Sequence, residues 1–161
     1  MPKANRKLLL ITGIPGTGKT TFGNFLDNKY GFVHFDIEQP IMHERLWRFP
    51  ANTIDDILDS AGDVVVTWGF VPDQHQTGIV SQFRDKGFNL IWFDGDRPSA
   101  LRVYIKRGRP EDLFYLQMWR IENSKVVQFL APLIIKTIDE NGEFKSPDVL
   151  LEEIENGKER S

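Results

Sequence analysis

Apolar residues in this chain gather in short runs, separated by longer stretches with helical spacing. The runs at 8–12, 32–35, 64–67, 89–93 and 133–138 are rich in Leu, Ile, Val and Phe and too short for buried helices, so they read as strands. Residues 64–67, Val-Val-Val-Thr, are β-branched throughout and suit the centre of a sheet. Helical patterns fill the gaps at 19–29, stopped by Gly31, and at 53–60, with Asn52 or Thr53 as cap and Gly62 as stop. Further helices are expected at 73–86 (Ile79, Val80 and Phe83 on one face), 98–107, 111–130 and 147–155, the last with Val149, Leu150 and Ile154 inward. Apolar strands alternating with helices predict an α/β fold, a parallel sheet covered on both faces. Ligands of such sheets bind beyond the carboxyl ends of the strands.

Composition narrows the picture. At 161 residues the chain suits one domain, 1–161, with no internal repeat or linker. It has no cysteine, which excludes disulfides, thiolate metal sites and cysteine nucleophiles. A net charge of −3 gives no general reason to bind nucleic acid or an acidic membrane. The basic residues 1–7 precede an apolar run too short for a signal peptide or a membrane span, so a cytoplasmic location is expected.

One motif carries specific chemistry. Gly13-Ile14-Pro15-Gly16-Thr17-Gly18-Lys19-Thr20 matches the phosphate-loop pattern G-x-x-x-x-G-K-[ST] in full, between an expected strand and an expected helix. Glycines let backbone N–H groups wrap around phosphate oxygens, and the helix behind offers its positive end. Lys19 supplies a mobile charge for the β- and γ-phosphates, and the Thr20 hydroxyl is a ligand for Mg²⁺. Thr21 completes the nucleotide-binding set. The motif implies binding of ATP·Mg²⁺.

From these residues onward the sequence resembles the P-loop small-molecule kinases, the group that includes shikimate, gluconate and nucleoside monophosphate kinases. The phosphate loop, helix, strand and acid recur in order through Phe32-Val33-His34-Phe35-Asp36-Ile37-Glu38. The segment from Val64 through Trp68-Gly69-Phe70 is similar to the strand and substrate-contacting turn of shikimate-type kinases, with one glycine where that family has two or three. Residues 100–110 look like the start of an arginine-bearing lid. Residues 135–139 with Pro147 look like the last strand, the adenine-side loop and the final helix. The expected sheet has five parallel strands in the order 2-3-1-4-5, the P-loop NTPase arrangement, with a short lid.

Asp36 ends the second strand, where a carboxylate could orient an acceptor hydroxyl, take its proton, or ligate Mg²⁺ beside Thr20. Glu38 lies two residues on, on the same side of an extended segment, and departs from the family's Asp-x-Asp. Where many P-loop ATPases carry an acid on the central strand, this chain has Thr67, and no guanine-reading motif is present. Asp94 ends another strand and reads first as a turn residue. Arg102, Lys106, Arg107 and Arg109 cluster at one helix end, with Arg120 on the next. A mobile arginine there, Arg107 for catalysis or Arg109 for nucleotide, would stabilise charge on a transferring phosphoryl group, although a helix C-terminus favours arginine in any case. Arg45 and Arg48, with Trp68 and Gly69, are the candidates for holding an acceptor. His34 reads as structural and His75 as a helix flank. The reading is an ATP-dependent phosphotransferase acting on a small molecule, with no obligate protein partner implied. A nucleotide-binding module serving a partner and a nucleic-acid end kinase stand as alternatives. Lys19→Ala should abolish phosphoryl transfer, sharply weaken triphosphate binding and leave the far-UV circular dichroism spectrum unchanged, because Lys19 projects toward ligand.

Overall fold

In the computed structural model, which describes residues 6–160 and the side chains of 6–157, the run at 8–12 forms β1 (Leu8–Gly13), the middle of a five-stranded sheet. Around it lie β2 (Val33–Asp36), β3 (Val64–Thr67), β4 (Asn89–Gly95) and β5 (Leu133–Ile138), in the order β2-β3-β1-β4-β5. Every pairing is parallel. The basic stretch at the N-terminus falls, through Asn5, outside the described residues. None of the described helices is long and apolar enough to cross a membrane.

The pleat sorts the strand residues into two cores. Leu10, Val64, Val66, Leu90 and Trp92 belong to one, and Leu9, Ile11, Val65, Ile91 and Phe93 to the other. The first is covered by α3 (Pro50–Leu58), α4 (Gln74–Asp85), α5 (Arg97–Lys106), α6 (Glu111–Ser124) and α7 (Val126–Leu130). On the second pack α1 (Lys19–Tyr30), through Phe22 and Leu26, and α8 (Pro147–Arg160), through Leu150, Leu151 and Ile154. Each such side chain contributes roughly 1.5–3 kcal/mol on burial, so double coverage is what makes an all-apolar strand like β3 stable here.

Four elements differ from the sequence expectation. A helix, α2 (Pro40–Arg48), occupies a segment with no helical stripe, because only Leu46 is buried while Ile41 and Trp47 face outward. Next, α3 begins at Pro50 rather than at residue 53. Proline suits a first helical position, and Thr53 lies buried inside, its hydroxyl donating to the Arg45 carbonyl at 3.0 Å. The long helix expected over 111–130 breaks at Lys125, which is left-handed (φ 56°) and returns its N–H to Glu122 O. Ser124 reinforces the break, donating to Ile121 O and accepting from the Val126 N–H, yet both pieces stay on one face. Finally, α8 turns Leu151 inward and leaves Val149 45% exposed.

Beyond the strands, β4 continues through Asp94 and Gly95, and Asp96 instead caps α5 by accepting the Ser99 N–H at 3.0 Å. At the end of β1, Gly13 has φ 135°, and a Cβ there would lie 2.2 Å from the Phe93 carbonyl oxygen. Both features exclude a side chain. Gly13→Ala should lower the unfolding free energy by about 3 kcal/mol, the upper end for forcing a methyl into a packed site, as read from urea denaturation. A change below about 0.5 kcal/mol, the level of an ordinary surface substitution, would contradict this packing.

Candidate active site

The loop between β1 and α1 rests on backbone. The Ile14 N–H donates to Phe93 O at 3.1 Å, and Gly16, with φ 79°, lies so close to α5 that a Cβ would sit 2.1 Å from Ala100 O. Thr17 folds its hydroxyl back onto Ile14 O at 2.8 Å. No acidic residue occupies the first turn of α1, so its positive end is left for an anion.

Lys19 follows the loop. Its Nζ donates to Ile14 O at 2.8 Å and lies 3.4 Å from Gly13 O. Burial is the main influence on this ammonium and lowers its pKa from 10.5 to about 8, opposed by Glu38 and reinforced by Arg107. The carboxylates stand at the end of β2. Asp36 accepts from the Thr20 hydroxyl at 3.4 Å on one oxygen and from the Glu38 N–H at 3.0 Å on the other. Glu38 reaches across to the turn after β3, where Oε1 accepts the Gly69 N–H at 2.7 Å.

Thr67, register partner of Asp36, is buried, and its hydroxyl lies 2.7 Å from His34 Nε2. His34 Nδ1 lies 2.9 Å from Asn24 Oδ1, and burial lowers the pKa of the ring. The same ring explains Gly23 in mid-helix, where a Cβ would come within 2.4 Å of His34 Nε2.

A cavity of about 360 Å³ opens over the loop. Gly13, Pro15, Gly16, Thr17, Gly18, Lys19 and Thr20 line it, with Asp36, Glu38, Gly69, Arg107 and Arg109. Ile14 is buried beneath the loop, and Thr21 is exposed on α1 outside the lining. Three expected acceptor residues lie elsewhere. Arg45 pairs with Asp56 at 2.6 Å and Arg48 with Glu44 at 3.3 Å, both on the exposed side of α2. Trp68 is 2% exposed, packed on Phe70 in the core. Alternation along the chain turned Trp68 inward and left Gly69 at the cavity. Arg102 donates to Ser99 Oγ at 2.8 Å, and Asp94 lies 3.6 Å from Arg97, neither in the lining.

Val71 also lines the cavity, as do Pro72, Tyr104, Gln117 and Ile121, four residues that the sequence does not mark. Gln117, Arg120 and Ile121 share one face of α6 at helical spacing, a signal present in the sequence but indistinguishable there from a core stripe. Thr20 and Asp36 form a pair of adjacent hard oxygen donors. Among the described residues no group of three or more His, Asp or Glu could hold a metal. The pair therefore fits a divalent cation whose remaining ligands come from phosphate and water.

The state of Lys19 is measurable. Its ε-carbon resonance should titrate near pH 8 in the free protein and move to higher pH when tripolyphosphate is added. Between about pH 8 and 10.5 the unfolded chain holds the extra proton, so Lys19 makes stability rise with pH across that window. A midpoint near 10.5 in the free protein would contradict the buried placement.

No protein-family model matches the chain. It is 31% identical over 96 residues to an adenylate kinase isoenzyme 6 homolog from Dictyostelium discoideum, a match covering 55% of this chain and 53% of that protein. The chain thus spans about half the length of the curated relatives it matches. Among solved structures, a gluconokinase from Sinorhizobium meliloti 1021 superposes with a TM-score of 0.65 at 14% identity, over 96% of this chain and 93% of that one. A shikimate kinase from Bacteroides thetaiotaomicron does so with a TM-score of 0.61 at 17% identity, over 96% and 98%. In fold the chain is similar to these P-loop kinases, and over 96 residues its sequence is similar to the adenylate kinase homologue.

Proposed function

We propose that this protein is an ATP-dependent phosphotransferase that moves a γ-phosphoryl group to a hydroxyl or phosphate oxygen of a small molecule. One observation carries the reading. The phosphate loop, Lys19, two carboxylates and three arginines (Arg107, Arg109 and Arg120) meet around a single cavity. Likeness in fold to a gluconokinase and a shikimate kinase supports a hydroxyl acceptor, and sequence similarity to an adenylate kinase homologue supports a phosphate one.

Bound ATP·Mg²⁺ supplies the phosphoryl group and screens the phosphate charge. Thr20 and Asp36 would hold the ion. Lys19 would exchange the Ile14 and Gly13 carbonyls for phosphate oxygens, whose negative charge favours its protonated ammonium. Arg107 and Arg109 flank Gly108 (φ 82°) between α5 and α6, where they can close over the transferring group.

The two carboxylates divide the work. Both oxygens of Asp36 are engaged, one by the Thr20 hydroxyl, which draws it to the metal side. Glu38 is held through Oε1 by Gly69 and keeps Oε2 for the acceptor. As the acceptor oxygen bonds to phosphorus and the bond to ADP breaks, the proton of the acceptor hydroxyl passes to Glu38. Sequence points first to Asp36 as that base, and its contact with Thr20 at 3.4 Å supports giving the role to Glu38.

Turnover against sugars, nucleosides, nucleotides and hydroxy acids, with products identified by mass, tests the activity. Nucleotide binding with no phosphorylated product from any acceptor class would favour a binding module. With the acceptor in hand, Glu38→Gln should lower kcat by about 10²- to 10⁴-fold at near-normal ATP affinity. Asp36→Asn should chiefly weaken Mg²⁺-dependent nucleotide binding. The reverse pattern would return the base to Asp36.

A further inference from the structure

Strand β5 does not pair with β4 in one unbroken register. Asp94 sits opposite Lys136, but Gly95 sits opposite Ile138, which leaves Thr137 as the extra residue of a β-bulge. Thr137 keeps the alternation of Leu133 and Ile135, which pack in the second core, while Ile138 lies on the other face, in the first. Gly95 makes the close approach feasible, since a Cβ there would lie 2.9 Å from Ile138 Cβ.

The Thr137 side chain is fully buried, and its hydroxyl donates to the Thr17 carbonyl at 2.9 Å, with a longer approach of 3.4 Å to Asp94 O. Thr17 lies inside the phosphate loop. Its C=O and the Gly18 N–H belong to one peptide plane, and no peptide bond among the described residues is cis, so the two groups point in opposite directions. With the carbonyl drawn into the interior, the Gly18 N–H is aimed outward, on the side of the cavity that Gly18 lines.

We propose that Thr137 is a positioning residue for phosphate binding: by holding the Thr17 carbonyl it fixes the Gly18 amide as a donor to a phosphate oxygen. The role rests on the nucleotide-binding reading above. The same residue joins the loop to the segment beyond β5, because the Thr137 carbonyl accepts the Lys145 N–H at 2.9 Å.

Thr137→Val keeps the shape and removes the donor, and Thr137→Ser keeps the donor. The affinity for ADP·Mg²⁺ is measured by calorimetry, and the Gly18 amide resonance is followed in ¹⁵N-labelled protein during the same titration. The valine variant should bind ADP·Mg²⁺ about tenfold more weakly, the cost of one misaimed hydrogen bond to an anion. It should also lose the downfield shift that wild-type Gly18 shows on binding, and serine should restore both. Thr137→Ala serves the same comparison should the valine variant fail to fold. A lower melting temperature with unchanged affinity and an unchanged Gly18 shift would make Thr137 structural only and overturn the proposal. Wild-type protein that fails to bind ADP·Mg²⁺ would remove the nucleotide reading itself, a result distinct from the first.

Discussion

The phosphate loop depends on backbone approaching backbone at distances that no side chain allows. Gly13 lies against Phe93 and Gly16 against Ala100, each with a Cβ position little more than 2 Å from a carbonyl oxygen. These contacts require β4 beside β1 and α5 directly over the loop. Phe93, fully buried and edge-on to Phe22 of α1 at 5.3 Å, secures the other side. A chain that folds this sheet therefore shapes the anion cradle in the same act, before any ligand is present.

Charge is distributed around that cradle in a definite way. The carboxylates stand at the end of β2, the arginines on α6 and on the connection between α5 and α6, and Lys19 between the two groups. β3, by contrast, ends in a neutral residue. Thr67 hydrogen-bonds with His34, and Asp36, its register partner one strand away, carries the negative charge instead. Moving an acid outward by one strand brings it beside Thr20 and lets Glu38 reach the turn at Gly69. The arrangement places two carboxylates in different surroundings, one beside the Thr20 hydroxyl and one at the Gly69 N–H, which a single acid on β3 could not do.

Much of this was legible in the chain itself. Short apolar runs alternating with helical patterns read as the strands of a parallel sheet, continuous in the three central ones and interrupted by His34 and Lys136 in the two at the edges, and one gapless phosphate-loop motif between a strand and a helix locates the site at the end of the first. Less was legible in the segment 37–52. Its apolar residues point both ways, Ile37, Met42 and Leu46 to the core and Ile41, Trp47 and Phe49 outward, so they form no single stripe that reveals a helix, and its arginines pair with Asp56 and Glu44. The break at Lys125 was hidden for a related reason. A left-handed lysine leaves no sequence mark as glycine does, and the apolar spacing of 111–130 runs through it.

Sequence alone determined what depends on residue type and local spacing: the strands, their coverage, the glycine loop, and the lysine, threonine and acids able to meet a phosphate. Tertiary structure decided everything set by direction and by partners distant in the chain. It assigned Asp36 to Thr20 and Glu38 to Gly69, turned Trp68 into the core, and brought Gln117, Arg120 and Ile121 to the cavity wall. It also placed Thr137, 120 positions along, beneath the Thr17 carbonyl. A hydroxyl, a carboxylate or a guanidinium has the same chemistry wherever it stands, but its role follows from what it faces, and in a parallel sheet that is set by strand order and register.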